Sequence, residues 1–151
     1  SEFIERQRND FFRDMTSFGS LWFYVIFSLF FLIIGIYDVF KKLVFGWILM
    51  YAITILIRSL YFKNRPQKYS YNNFLEKLDA SSFPSLHSER AAFLTLTLIK
   101  EYNNNILSLL LIIVILVVVY SRIYLRKHDF KDAVAGIIFG IVVYLVVDGF
   151  F

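Results

Sequence analysis

Both histidines of this chain, His87 and His128, stand beside residues with which they can do chemistry. His128 precedes Asp132 by four positions, one helical turn. On a helix that spacing lets the carboxylate hold one imidazole nitrogen, which sets the tautomer and leaves the other nitrogen as a nucleophile. His87 comes from a distant part of the chain and can protonate a leaving oxygen. Arg58, Arg65 and Arg122 offer planar forks of donors that match phosphate oxygens. Arg58 and Arg65 are seven apart, so a helix continuing that far would put them on one face. The stretch Pro84-Ser85-Leu86-His87 has the form of a helix start, with free backbone N–H groups, a positive dipole end and the Ser85 hydroxyl as a further donor. This combination suits a tetrahedral oxyanion attacked by an imidazole.

These residues can act together only if the fold gathers them, and the hydropathy pattern says how. A spanning helix needs about 20 mostly apolar residues to cross a hydrocarbon core of about 30 Å. Leu21–Phe40, Leu43–Phe62, Ile106–Leu125 and Ala133–Phe151 qualify, and each is apolar all round. Pro84–Lys100 has a shorter apolar run, Ala91–Ile99, and is expected as a further span packed inside the bundle, with its polar first turn facing other helices. Glu2–Met15 mixes Phe3, Ile4, Phe11 and Phe12 with charges and reads as an interfacial helix, not a signal peptide. The polar segment 63–83 falls outside the bilayer, and Asn103–Asn105 is a turn. The expected fold is all-α: a polytopic membrane helix bundle of about five transmembrane helices in a single domain, 1–151. Alternation of five spans puts the end of the second, the start of the third and the junction of the last two on one side. Arg58, Arg65, Ser85, His87, Arg122, His128 and Asp132 all lie there.

Composition agrees. The 151 residues are 58% hydrophobic, 20% aromatic and 19% charged, whereas a soluble domain has about 45–50% apolar and about 25% charged residues. A net charge of +4 in so apolar a chain does not point to nucleic acid. With two histidines, no cysteine and no carboxylate cluster at ligand spacing, no metal site is expected. Taken singly, an arginine near a helix end snorkels, a serine or aspartate caps a helix, and a basic group such as Arg122, Arg126, Lys127 and Lys131 binds headgroups. Independent caps and snorkels have no reason to collect on one face, and ionisable residues at a membrane edge are expensive.

The motifs Arg58-x6-Arg65-Pro66, Pro84-Ser85-Leu86-His87 and Ser121-Arg122-x5-His128-x3-Asp132 resemble the three signature blocks of the type 2 phosphatidic acid phosphatase superfamily, which includes lipid phosphate phosphatases and vanadium haloperoxidases. Those blocks read Lys-x6-Arg-Pro, Pro-Ser-Gly-His and Ser-Arg-x5-His-x3-Asp. The third is intact here; Arg58 replaces the lysine of the first, and Leu86 the glycine of the second. The resemblance implies that His128 is the nucleophile, Asp132 its orienting carboxylate and His87 the general acid. Arg58, Arg65 and Arg122 would hold the phosphate, with Ser85 and the Leu86 backbone assisting and no cofactor needed.

The expected activity is hydrolysis of a lipid phosphate or diphosphate at a membrane face through a phosphohistidine. The favoured substrate is a polyisoprenyl diphosphate, the carrier-lipid class of undecaprenyl and dolichyl diphosphates. The alternatives are phosphatidic acid or phosphatidylglycerol phosphate hydrolysis, phosphoryl transfer to another acceptor, and anionic-lipid binding without turnover. Lys41, Lys42 and Lys100 lie on the side opposite the site. The site's own side holds more basic residues, several of them assigned to the phosphate; with those set aside, the positive-inside rule reads the opposite side as cytoplasmic, and the site is expected on the extracytoplasmic face of a cell membrane.

Overall fold

A computed structural model describes residues 1–151, and all regular structure in it is helical. The elements are α1 (Glu2–Thr16), a 3-10 turn (Ser17–Gly19), α2 (Leu21–Ile33), α3 (Tyr37–Leu60), the short α4 (Phe74–Ala80), α5 (Leu86–Tyr102), α6 (Asn105–Tyr124) and α7 (Phe130–Phe150). The expected helical bundle is present.

The central element is α5. Its buried residues run from Ser88 to Leu98, and α3, α6 and α7 pack around it. A helix so enclosed need not be long or uniformly apolar, because protein and not lipid surrounds its polar first turn. The closest approach is to α7, where Gly136 and Gly140 leave room for the α5 backbone. A Cβ on Gly136 would lie 2.4 Å from the Ser85 carbonyl oxygen, and one on Gly140 2.5 Å from that of Glu89. The apolar core lies toward the other end of α5, among Phe31, Leu43, Phe93, Leu98, Val143 and Val147.

Three helices are long and apolar enough to cross a membrane: α3, α6 and α7, with 24, 20 and 21 residues. α1 with its 3-10 turn and α2 make a fourth span if counted as one unit, bent by 49°. The expected continuous span Leu21–Phe40 is therefore divided. α2 stops at Ile33, and Tyr37–Phe40 belong to α3. Its 13 residues reach about 20 Å, short of a hydrocarbon core of about 30 Å. The break has a local cause. Gly35 adopts φ +81, its N–H donates to Leu32 O, and Ile36 N–H donates to Phe31 O, the paired bonds of a Schellman stop. Hydropathy cannot register such a stop, since its residues are apolar. α5, with 17 residues, also falls short of a full span by length.

α1 has no buried residue and lies along α6. The Phe12 ring sits 4.4 Å from that of Tyr124, whose hydroxyl accepts from Arg8 Nε at 2.8 Å and donates to Asn9 at 2.6 Å. Asn103, in the left-handed conformation, closes α5, and Asn104 caps α6, which makes the expected turn.

Candidate active site

Three separated stretches meet at one end of the bundle: the end of α3 with the loop after it, the first turn of α5, and the α6–α7 junction. They enclose a cavity of about 400 Å³ whose wall includes Arg58, Arg65, Leu86, His87, Arg122 and His128. The Ser20–Trp22 segment closes another side. The expectation that these residues share a face is met.

His128 lies in the loop before α7, almost fully buried. Its Nδ1 is 2.7 Å from the Ser82 carbonyl oxygen, and its Nε2 is 3.4 Å from Arg122 Nη2. A carbonyl can only accept and a guanidinium can only donate, so Nδ1 carries the hydrogen and Nε2 keeps its lone pair. Burial first, then the charges of Arg122 and Arg65, push the imidazole far below its ordinary pKa. His128 is thus neutral, with the lone pair of Nε2 turned to the Arg122 guanidinium.

The expected role of Asp132 changes in detail. No helix runs from His128 to Asp132; α7 begins at Phe130. Asp132 Oδ2 is 3.8 Å from His128 Nδ1, beyond hydrogen-bond length. It accepts instead from Asp129 N–H at 3.0 Å, while Asp129 Oδ1 accepts from Asp132 N–H at 2.9 Å, a reciprocal cap on α7. The ring is oriented by the Ser82 carbonyl, and Asp132 stands beside it without a hydrogen bond. Lys63 Nζ bridges the two carboxylates, 2.7 Å from Asp132 Oδ1 and 2.6 Å from Asp129 Oδ2. Burial works against the Lys63 ammonium, but these partners hold it above the usual lysine range. Partial burial likewise opposes the Asp129 carboxylate, which Lys63 and backbone N–H groups nevertheless hold below the usual range.

Arg58 and Arg65 are placed by backbone carbonyls, Arg122 by side chains. Arg58, buried at the end of α3, donates to Leu78 O at 2.9 Å and Pro84 O at 3.0 Å. α3 ends at Leu60, so Arg65 shares no helix with Arg58; it reaches the cavity from the loop, donates to Asp79 O at 2.8 Å and stacks over Tyr69. Arg122 donates to Thr16 Oγ1 at 3.3 Å, which ties the site to the end of α1. The buried Nε atoms of Arg58 and Arg122 have no hydrogen-bond partner, a costly state for a guanidinium donor. Neither these arginines nor Arg90 has a carboxylate at ion-pairing distance.

Ser85 departs from expectation. Its hydroxyl oxygen is fully buried as the cap of α5, accepting from Ser88 N–H, and the residue does not line the cavity. Leu86, the first residue of α5, does line it, in an ordinary helical position with φ below zero, so the loss of glycine costs no backbone strain. Lys63, Ser82, Arg90 and Tyr51 were not anticipated. Lys63 had a signal, a third cation within the first block. Ser82 had none, because it acts through its carbonyl.

The match to the PAP2 superfamily covers residues 59–149. The chain belongs to the PAP2 superfamily. The fold is similar to a solved structure described as the first transmembrane PAP2 type phosphatidylglycerolphosphate phosphatase from Bacillus subtilis, with 21% identity and a TM-score of 0.67 over 95% of this chain and 76% of that one. No curated protein matches. Family and apolar helices together make the chain an integral membrane lipid phosphatase.

Proposed function

We propose that this PAP2 phosphatase hydrolyses a polyisoprenyl diphosphate to the monophosphate through a covalent phospho-His128 intermediate. The observation that carries the reading is the pairing of a bare imidazole nitrogen with guanidinium groups that have no anionic partner. Arg58, Arg65 and Arg122, on the cavity wall, receive the terminal phosphate. As the phosphate arrives, Arg122 turns from His128 Nε2 to the phosphate oxygens, and that nitrogen attacks phosphorus in line with the leaving oxygen. Ser82 holds the Nδ1 hydrogen, and the carboxylate of Asp132, 3.8 Å away, stabilises the positive charge that grows on the ring. His87, on the cavity wall, stands by the leaving oxygen. Water then cleaves the phosphorus–nitrogen bond and releases inorganic phosphate. The phosphate charge is met by guanidinium groups, and no three His, Asp or Glu side chains gather to hold a metal.

A second reading, phosphatidylglycerol phosphate as substrate, is favoured by what the similar B. subtilis protein is described as acting on. An active site at the extracytoplasmic face suits the carrier-lipid reading. The test is phosphate release by the purified chain in detergent from a panel of lipid phosphates. We expect turnover that His128→Ala abolishes, that vanadate inhibits and that EDTA leaves intact. Activity that survives His128→Ala, or that EDTA removes and a divalent metal restores, overturns the mechanism.

A further inference from the structure

We propose that Arg90, which lies outside the motifs matched to the signature blocks, selects a lipid diphosphate over a lipid monophosphate. This rests on the phosphatase reading above and adds a residue to it. Arg90 is one helical turn after His87 on α5, lines the cavity and is only 4% exposed. Its guanidinium is held by neutral acceptors alone. Nε donates to Gly19 O at 2.9 Å, Nη1 to Tyr51 Oη at 3.3 Å, and Nη2 lies 3.5 Å from His87 Nδ1. Asp79 is the one acidic residue on the cavity wall, and its exposed carboxylate pairs with none of the arginines. Arg90 is therefore a fourth buried or half-buried guanidinium, beyond the three that one terminal phosphate engages.

Two consequences follow from this placement. The first concerns His87. A guanidinium has no acceptor, so its contact with Nδ1 leaves that nitrogen unprotonated and the ring hydrogen on Nε2. A neutral imidazole can donate a hydrogen bond from Nε2, but it is a poor source of a whole proton. The leaving groups of the two substrate classes differ in how much that matters. A monophosphate leaves an alkoxide, about as basic as hydroxide, whose conjugate acid water has a pKa of about 15.7. It needs the proton. A diphosphate leaves a lipid phosphate, whose second pKa is about 6, and it can depart unprotonated. Arg90 thus weakens the acid that monophosphates require, and diphosphates do not depend on it.

The second consequence concerns charge. When His128 Nε2 bonds to the terminal phosphorus, the bridging phosphorus–oxygen bond breaks and its electron pair leaves with the lipid phosphate. Negative charge grows on that oxygen, beyond the groups holding the transferred phosphoryl. Arg90, beside His87, is placed to meet it. Water then hydrolyses the phosphohistidine, so diphosphate and water give lipid phosphate and inorganic phosphate.

The experiment compares one prenyl diphosphate with the prenyl monophosphate of the same tail, as kcat/KM for wild type, Arg90→Gln and Arg90→Lys in detergent. We expect the wild type to prefer the diphosphate and Arg90→Gln to lower that preference by about tenfold or more, the value of a charge-assisted hydrogen bond. Arg90→Lys, which keeps the charge, retains more of the preference than Arg90→Gln. A smaller folded fraction lowers both activities equally, so the ratio reports selection and not folding. Equal losses on both substrates would make Arg90 only a tie to Gly19 and overturn the inference, as would a wild type that prefers the monophosphate. A wild type that hydrolyses neither prenyl phosphate nor any other lipid phosphate overturns the phosphatase reading itself, and with it this inference.

Discussion

At the end of the bundle that holds Lys41, Lys42 and Lys100, each ammonium has a carboxylate beside it: Asp38 for Lys41, Glu101 for Lys42 and Asp148 for Lys100. At the other end, Arg58, Arg65, Arg90 and Arg122 have none, although three of the four are buried. Their donors go to carbonyls and hydroxyls, and two Nε atoms go unsatisfied. A buried charge without an ion pair is expensive, and the buried carboxylate of Glu89 nearby accepts from Thr54 and not from these guanidinium groups, which supports the proposal that an anion binds at this end. Within the same end, Lys63 is the contrasting cation. It is paired with Asp129 and Asp132 and belongs to the scaffold behind His128.

If that contrast is right, the two ends respond differently to the same kind of change. Arg122→Met should reduce phosphate release by about 10³ or more, since it removes a transition-state contact, while raising the melting temperature of the ligand-free protein. A loss of both activity and stability would mean that the charge is balanced after all. Orthovanadate, added to the wild type at about 100 times its dissociation constant, should stabilise the fold by about 2.7 kcal/mol. No such shift is expected for Arg122→Met. Gly136→Ala forces α7 away from the Ser85 carbonyl, and its melting should show a loss of about 1–3 kcal/mol, with activity falling too. Gly149→Ala, on the same helix at the other end, meets nothing within 4 Å and should be silent in both assays.

The pH dependence has a definite sign. In the unfolded chain a histidine takes a proton below about 6.5, whereas His128 stays neutral down to about 2. Its contribution to stability is present above 6.5 and is lost as pH falls through that window. The melting temperature of the wild type should therefore drop more steeply on acidification from pH 7 to 4 than that of His128→Asn. The smallest effect is expected at the balanced end. Lys100→Met should leave phosphate release unchanged and melting close to wild type, because its ion pair is exposed.

Much of the site was legible because its residues are rare in a membrane chain and their spacing is regular. His87, His128, Arg58, Arg65 and Arg122 could be picked out by type, and the expected alternation of five spans put them at one end. The cavity gathers them there although α2 and α5 are each too short to span. Individual geometry was harder to read. Ser85 looked like a phosphate donor and turned out to cap α5, since a serine at a helix start fits both roles equally. Asp132 was expected to bond His128 directly, but four positions make one turn only where a helix runs between them, and here the chain turns before α7. The break at Gly35 was hidden because hydropathy averages over residues and ignores the one backbone angle that stops the helix.

From the amino-acid order alone came the apolar segments, the end of the bundle shared by the reactive residues, and the chemistry those residue types allow. These follow from solvation and from side-chain identity, which are local. Tertiary structure decided which nitrogen of His128 carries its hydrogen, which cation backs Asp132, and that Arg90 rests against His87. Those outcomes depend on carbonyl groups and on helices brought together from distant parts of the chain. A backbone carbonyl is the same in every residue, so only its position can tell it apart, and no sequence pattern records that position.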